Sequence, residues 1–102
     1  MIPFDIQHKL KSQWGDKADS MDCFVQCRIY DPSSNWAWYI YAQNPDDEDQ
    51  LFAIESTFEV IPDALLSMEF LESLFNHRGE SMQFDHEFRP RKAGEIYKKL
   101  RS

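Results

Sequence analysis

The sequence predicts an α+β fold: a three- to four-stranded antiparallel meander with about three short helices packed on one face. Three observations carry this. Apolar residues alternate with period two through residues 22–30, 36–42 and 51–56. Turn-forming segments, D-P-S-S-N and N-P-D-D-E-D, separate those runs. Apolar residues recur at helical spacing at both ends of the chain. The length of 102 residues suits one domain, 1–102, and the 42% hydrophobic and 15% aromatic content argues against disorder.

The first helix is expected over 4–14. Pro3 and Asp5 suit its start, and Ile6, Leu10 and Trp14 form an apolar stripe that Gly15 ends. Residues 15–22 read as a polar linker. The first strand, 22–30, places Cys23, Val25, Cys27 and Ile29 on one face. Four residues apart on a strand, the two cysteines stand about 13 Å from each other, too far for a disulfide. They read as buried, reduced thiols of a cytoplasmic protein.

The second strand, 36–42, alternates Trp36, Trp38 and Ile40 with Ala37, Tyr39 and Tyr41. Both faces are apolar, as in a central strand. The third strand covers 51–56, and an edge strand interrupted by Pro62 follows over 57–66. Ser67 then caps a helix over 68–75 whose buried side is Met68, Leu71 and Phe75. A short strand within 81–85 carries Met82 and Phe84 on one face. Pro90 opens the last helix, with Ala93, Ile96, Tyr97 and Leu100 on its apolar side and a basic opposite face.

The net charge of −7 is unevenly spread. Between Arg28 and Arg78 there is no Lys or Arg and there are ten acids. The tail reverses the sign with Arg89, Arg91, Lys92, Lys98, Lys99 and Arg101 against Glu95. The bulk field disfavours direct binding of nucleic acid, although the basic tail alone could contact phosphate. No apolar run is long enough to span a membrane, and the N-terminus lacks the pattern of a signal peptide.

Phosphate loops, dinucleotide fingerprints and zinc-protease or nucleophile-elbow motifs are all absent. No cofactor or metal is expected. Asp85, His86 and Glu87 alternate across a strand and could not chelate one ion together without a bend, with or without His77. The D-D-E-D run, 46–49, lacks the spaced ligands of a calcium loop and reads as a solvated turn. Catalytic roles for Cys23 or Cys27 find no partner on the buried face of a strand. The chain is therefore expected to be non-enzymatic.

The block Y-D-P-S-S-N-W-A-W-Y at 30–39 is followed by an acidic turn, L-F-A-I-E-S, a serine-led M-E-F-L-E-S-L helix, R-G at 78–79 and a short strand ending F-D. This order resembles the bacterial domain-of-unknown-function family twenty-nine fifty-eight, over residues 22–90. The resemblance implies a setting, an accessory protein of a plasmid, phage or conjugative element. It implies no activity and no catalytic residues.

Together these readings predict a protein-interaction module whose partner is basic or binds nucleic acid. The expected contact residues are an acidic set, Asp46, Asp47, Glu48, Asp49, Glu55 and Glu59, and an aromatic set, Trp36, Trp38, Tyr39 and Tyr41. The aromatics also read as core, which is the plainer reading of them. Two alternatives stand beside this. The acids could mimic DNA phosphates and block a host defence enzyme, as anti-CRISPR or anti-restriction proteins do. Or the basic helix, with Arg91, Lys92, Lys98, Lys99 and Arg101, could serve a nucleic-acid accessory protein.

Overall fold

The computed structural model spans Met1–Ser102 and describes every backbone position and all side chains except those of residues 16–19. The elements run α1 (Phe4–Ser12), a 3₁₀ helix (Trp14–Asp22), β1 (Phe24–Val25), β2 (Cys27–Tyr30), β3 (Ala37–Asn44), β4 (Asp47–Ser56) and β5 (Val60–Ser67). They continue with α2 (Met68–Ser73), β6 (Gln83–Phe84), β7 (Arg91–Lys92) and α3 (Ala93–Arg101).

The α+β meander is present. Strands β2 to β5 follow one another across the sheet, and β6 adds on the far side of β2, giving the antiparallel order β5-β4-β3-β2-β6. The main sheet thus has five strands, against the three to four predicted. β3 is central, as its two apolar faces require.

Helices cover both faces of this sheet, rather than one. Trp38, Ile40, Leu51 and Ala53 point to one side, where they meet Ile2 and Leu10 at the α1 end and Leu71 of α2. Tyr41, Ile54, Phe52 and Tyr39 point to the other, where Ala93, Ile96, Tyr97 and Leu100 of α3 and Trp14 and Met21 of the 3₁₀ helix cover them. The predicted stripe on α3 is therefore correct, and it faces the opposite side from α1.

The segment predicted as one strand over 22–30 breaks at Gln26, and this break reassigns its side chains. β1 leaves the main sheet to pair with β7, Phe24 opposite Lys92 and Val25 opposite Arg91. Cys23 and Val25 consequently pack on the α3 side, while Cys27 and Ile29 pack on the α1 side. Both cysteines are free and buried. Burial pushes the Cys27 thiol up to about 12, which keeps it protonated and unreactive. Gln13 bridges the gap beside the break: its amide donates to the carbonyls of Phe24 (2.9 Å) and Tyr41 (2.7 Å) and accepts from the Phe24 N–H (3.1 Å).

Several predicted boundaries move. α1 ends at Ser12, and Trp14 leaves its expected stripe to begin the 3₁₀ helix that occupies the predicted linker. β4 starts at Asp47, so most of the acidic run is strand and the turn is centred on Pro45 and Asp46. Pro62 sits within β5, opposite a register shift between Ala53 and Glu55. An edge strand tolerates it because a proline there removes no ladder bond. Phe75, predicted buried, is 61% exposed because α2 stops at Ser73.

Ser67 caps α2 as expected, its hydroxyl accepting from the Phe70 N–H at 3.1 Å. The same hydroxyl donates to Asp49 at 2.7 Å, and the other Asp49 oxygen accepts from the Glu69 N–H at 2.9 Å. These contacts hold the Asp49 carboxyl below its ordinary range, the Glu69 N–H contributing most and the Ser67 hydroxyl next. Ser67→Ala should therefore cost about 1–2 kcal/mol, the upper part of the range for a lost N-cap. Urea denaturation would measure it, and Ser67→Thr, which keeps the hydroxyl, should recover most of the loss.

Among the described residues, no helix is long and apolar enough to cross a membrane.

Candidate functional site

The predicted aromatic set does not form one surface. Strand alternation sends Trp38 to the α1 side and Tyr41 to the α3 side, and both are core, with relative exposures of 2% and 0%. Trp38 donates its indole N–H to Glu55 at 3.0 Å, so even its polar edge is satisfied internally. The Tyr41 hydroxyl is pushed up to about 12, chiefly by burial. Neither residue is available to a partner. Trp36 and Tyr39 are half-buried and lie on opposite faces.

The acidic set divides too. Asp47 and Glu55 are eight residues apart on β4, about 27 Å at the rise of an extended strand. Several of these carboxylates have internal partners. Glu48 pairs with Lys11 at 2.6 Å, Asp49 holds the start of α2, and Glu55 accepts from Trp38. Asp46, Asp47 and Glu59 are exposed. At the Glu55 end stands an unpredicted feature: Phe58 is 91% exposed, with its ring edge-on to Trp36 at 5.0 Å.

The D-P-S-S-N turn and the R-G segment meet, although Asp31 and Asn76 are 45 residues apart. Asp31 is only 7% exposed. Its carboxylate accepts from the Asn76 amide (2.8 Å), the Ser33 N–H (2.9 Å) and hydroxyl (3.0 Å) and the Ser34 hydroxyl (2.9 Å). The Asn76 bond contributes most to lowering its pKa to about 2, and partial desolvation opposes it. The Asn76 side-chain oxygen accepts in turn from the Arg78 and Glu80 N–H groups, and Gly79 closes that turn at φ 76°. Only glycine adopts that angle without strain. The network clamps two loops together; it presents no ligand-facing group.

The strongest site is a groove of about 730 Å³ between the sheet and α3. Tyr39 and Phe88 line it with ring centroids 6.2 Å apart. Around them stand Arg28, Arg89, Arg91 and Lys99, with Glu87 and Glu95 as the acids. Of the predicted basic helix, Arg91 and Lys99 line the groove, whereas Lys92, Lys98 and Arg101 do not. Arg101 instead donates to the Tyr97 hydroxyl at 2.9 Å.

Each cation has a structural origin. β2 places Arg28, whose guanidinium is fixed by Asp85 at 3.1 Å and lies 4.8 Å from the Tyr30 ring centroid and 5.7 Å from that of Tyr39. The pairing of β7 with β1 positions Arg91, and the loop before it carries Phe88 and Arg89. Lys99 lies in the last turn of α3, three residues after buried Ile96. Among the described residues Arg89, Arg91 and Lys99 have no ion-pair partner. Of the groove residues, Tyr39, Arg91 and Lys99 were among the predicted contact residues, whereas Arg28, Phe88 and Arg89 were missed because segments far apart in the chain build the groove. The available signal was the sign reversal of the tail.

Among the described residues, no group of three or more His, Cys, Asp or Glu side chains is arranged to hold a metal ion. Asp85, His86 and Glu87 do not converge: Asp85 binds Arg28, and the His86 ring packs on Phe84 at 5.0 Å.

Comparison with family models, with curated proteins and with solved structures finds no match.

Proposed function

We propose that this chain is a non-enzymatic binding module of the cytoplasm whose working surface is the groove between the sheet and α3, and that its occupant is a polyanion. One observation carries the reading: Arg89, Arg91 and Lys99, which have no ion-pair partner among the described residues, stand with Arg28 around two aromatic rings, on a chain whose net charge is −7. Four cations against two acids leave the groove net positive, and a bound anion offsets that charge. The groove is a local exception to the bulk charge, from which a basic partner was expected.

The test is a titration with inorganic polyphosphate followed by amide NMR. Shifts should concentrate at Phe88, Arg91 and Lys99, and Arg91→Glu combined with Lys99→Glu should weaken binding by roughly tenfold or more. An unresponsive groove would sink the reading.

A second reading, a protein-interaction module with a basic partner, is favoured by Phe58. An almost fully exposed phenylalanine stacked edge-on against Trp36, close in sequence to Glu55 and Glu59, has the make-up of an interface anchor. A partner's Arg or Lys would gain from both ring and carboxylate. A DNA-mimic inhibitor of a host defence enzyme, in a mobile-element setting, is a special form of this reading. The separation of the acids to the two ends of β4 counts against it. Phe58→Ser should abolish capture of such a partner and leave polyphosphate binding intact.

A further inference from the structure

Resting on the anion-binding reading of the groove, we infer that its occupant is a short single-stranded segment of nucleic acid, with phosphates on Arg89, Arg91 and Lys99 and a base against Phe88. An acidic protein segment would need the cations alone. The groove places half-buried aromatic rings directly among them, and that pairing of base-stacking face and backbone charge is what single-strand sites require. Tyr39 and Phe88 pack on each other and on the α3-side core, but Tyr39 also carries the Arg28 guanidinium, so Phe88 is the less covered ring and the one offered to a base.

The cation types point the same way. Three of the four are arginines, whose planar fork matches two phosphate oxygens at once. Glu87 and Glu95 fit as well. They repel phosphate from their own positions and can accept hydrogen bonds from base amino groups or a ribose hydroxyl, which fixes where phosphate and base sit. A duplex suits the molecule less. It carries one charge per roughly 1.7 Å of axis, twice the linear density of one strand. Beyond the groove it would meet a protein whose net charge is −7. The volume of about 730 Å³ also suits a unit of small-molecule size rather than the face of a double helix.

The experiment uses the full chain and three labelled probes: a thymidine oligonucleotide, the same strand in duplex form, and polyglutamate of equal charge. Fluorescence anisotropy follows binding across a salt series, and circular dichroism confirms that each variant is folded. The single strand should bind most tightly, with log K falling against log salt at a slope of about −2, the value for some three phosphates on a single strand. Phe88→Leu, which keeps the apolar packing but removes the aromatic face, should weaken the oligonucleotide by about 5- to 150-fold. It should leave polyglutamate unchanged. Equal binding of polyglutamate and oligonucleotide, both indifferent to Phe88→Leu, would overturn the inference and leave the polyanion reading standing. Tighter binding of the duplex would overturn it equally. No binding by any probe would remove both readings.

Discussion

Trp38→Ala is expected to destabilise the protein by about 3–5 kcal/mol, the cost of deleting a buried aromatic side chain. For a domain of this size that is a drop in Tm of roughly 15–30 °C. Trp38 lies near the start of the central strand, paired with Ile29 on one side and Glu55 on the other. Its ring packs within the α1-side core, and its indole N–H satisfies the Glu55 carboxylate. Truncation therefore opens a cavity and frees a half-buried carboxylate together. Trp38→Phe separates the two effects, because it retains most of the apolar contact and loses the hydrogen bond. Thermal and urea unfolding would measure both variants. An unchanged Tm for Trp38→Ala would place the residue at an interface and refute its role in the core.

Acid should loosen the clamp between the D-P-S-S-N turn and the Asn76–Glu80 loop. The unfolded chain holds Asp31 near the ordinary carboxylate value of about 3.9. The folded protein holds it at about 2. Between these values unfolding takes up a proton, so stability falls as pH drops from about 4 to about 2. Above pH 4 the contribution is fully present. Asp31→Asn keeps the shape but removes the charge and replaces one carboxylate oxygen with an NH2 donor, which faces either Ser34 or the Asn76 and Ser33 donors. It should be clearly less stable than the parent at pH 7, and the gap should close as pH approaches 2. Chemical denaturation at a series of pH values tests this. A gap that stays constant through the acid range would mean that the Asp31 charge contributes nothing.

The parts of this fold legible in the sequence are those set by neighbours in the chain. Alternation in 36–42 identified the central strand, because β3 is apolar on both faces. The Ser67 cap and the Ala93, Ile96, Tyr97 and Leu100 stripe were legible for the same reason: each is decided within one or two turns of helix. The break at Gln26 was not. Val25 and Cys27 obey period two, and only the pairing of β1 with β7, more than sixty residues later, turns Val25 to the other face. The helices of the two faces could not be told apart because a single amphipathic stripe does not say which side of a sheet it meets.

The site follows the same division. Adjacency in sequence made Asp46–Asp49, Glu55 and Glu59 look like one patch, whereas an extended β4 carries them to opposite ends. The groove was hidden for the converse reason. Arg28, Tyr39, Phe88, Arg91 and Lys99 are scattered in sequence and meet through the pairing of β2 with β3 and the packing of α3. Two of its cations were in the predicted basic set because the tail is short and β7 runs directly into α3.

The interruption of β5 by Pro62 bears on how copies of this protein coexist when concentrated. A sheet rim of eight residues with exposed Leu65 would offer neighbouring molecules a continuous row of unpaired amides, the template from which fibres grow. Pro62 supplies no N–H, and the irregularity beside it, with exposed Asp63, cuts that row into two pieces. Neither piece is long enough to hold a foreign strand well. The proline costs the fold little at this position, and it protects the chain from self-templated aggregation.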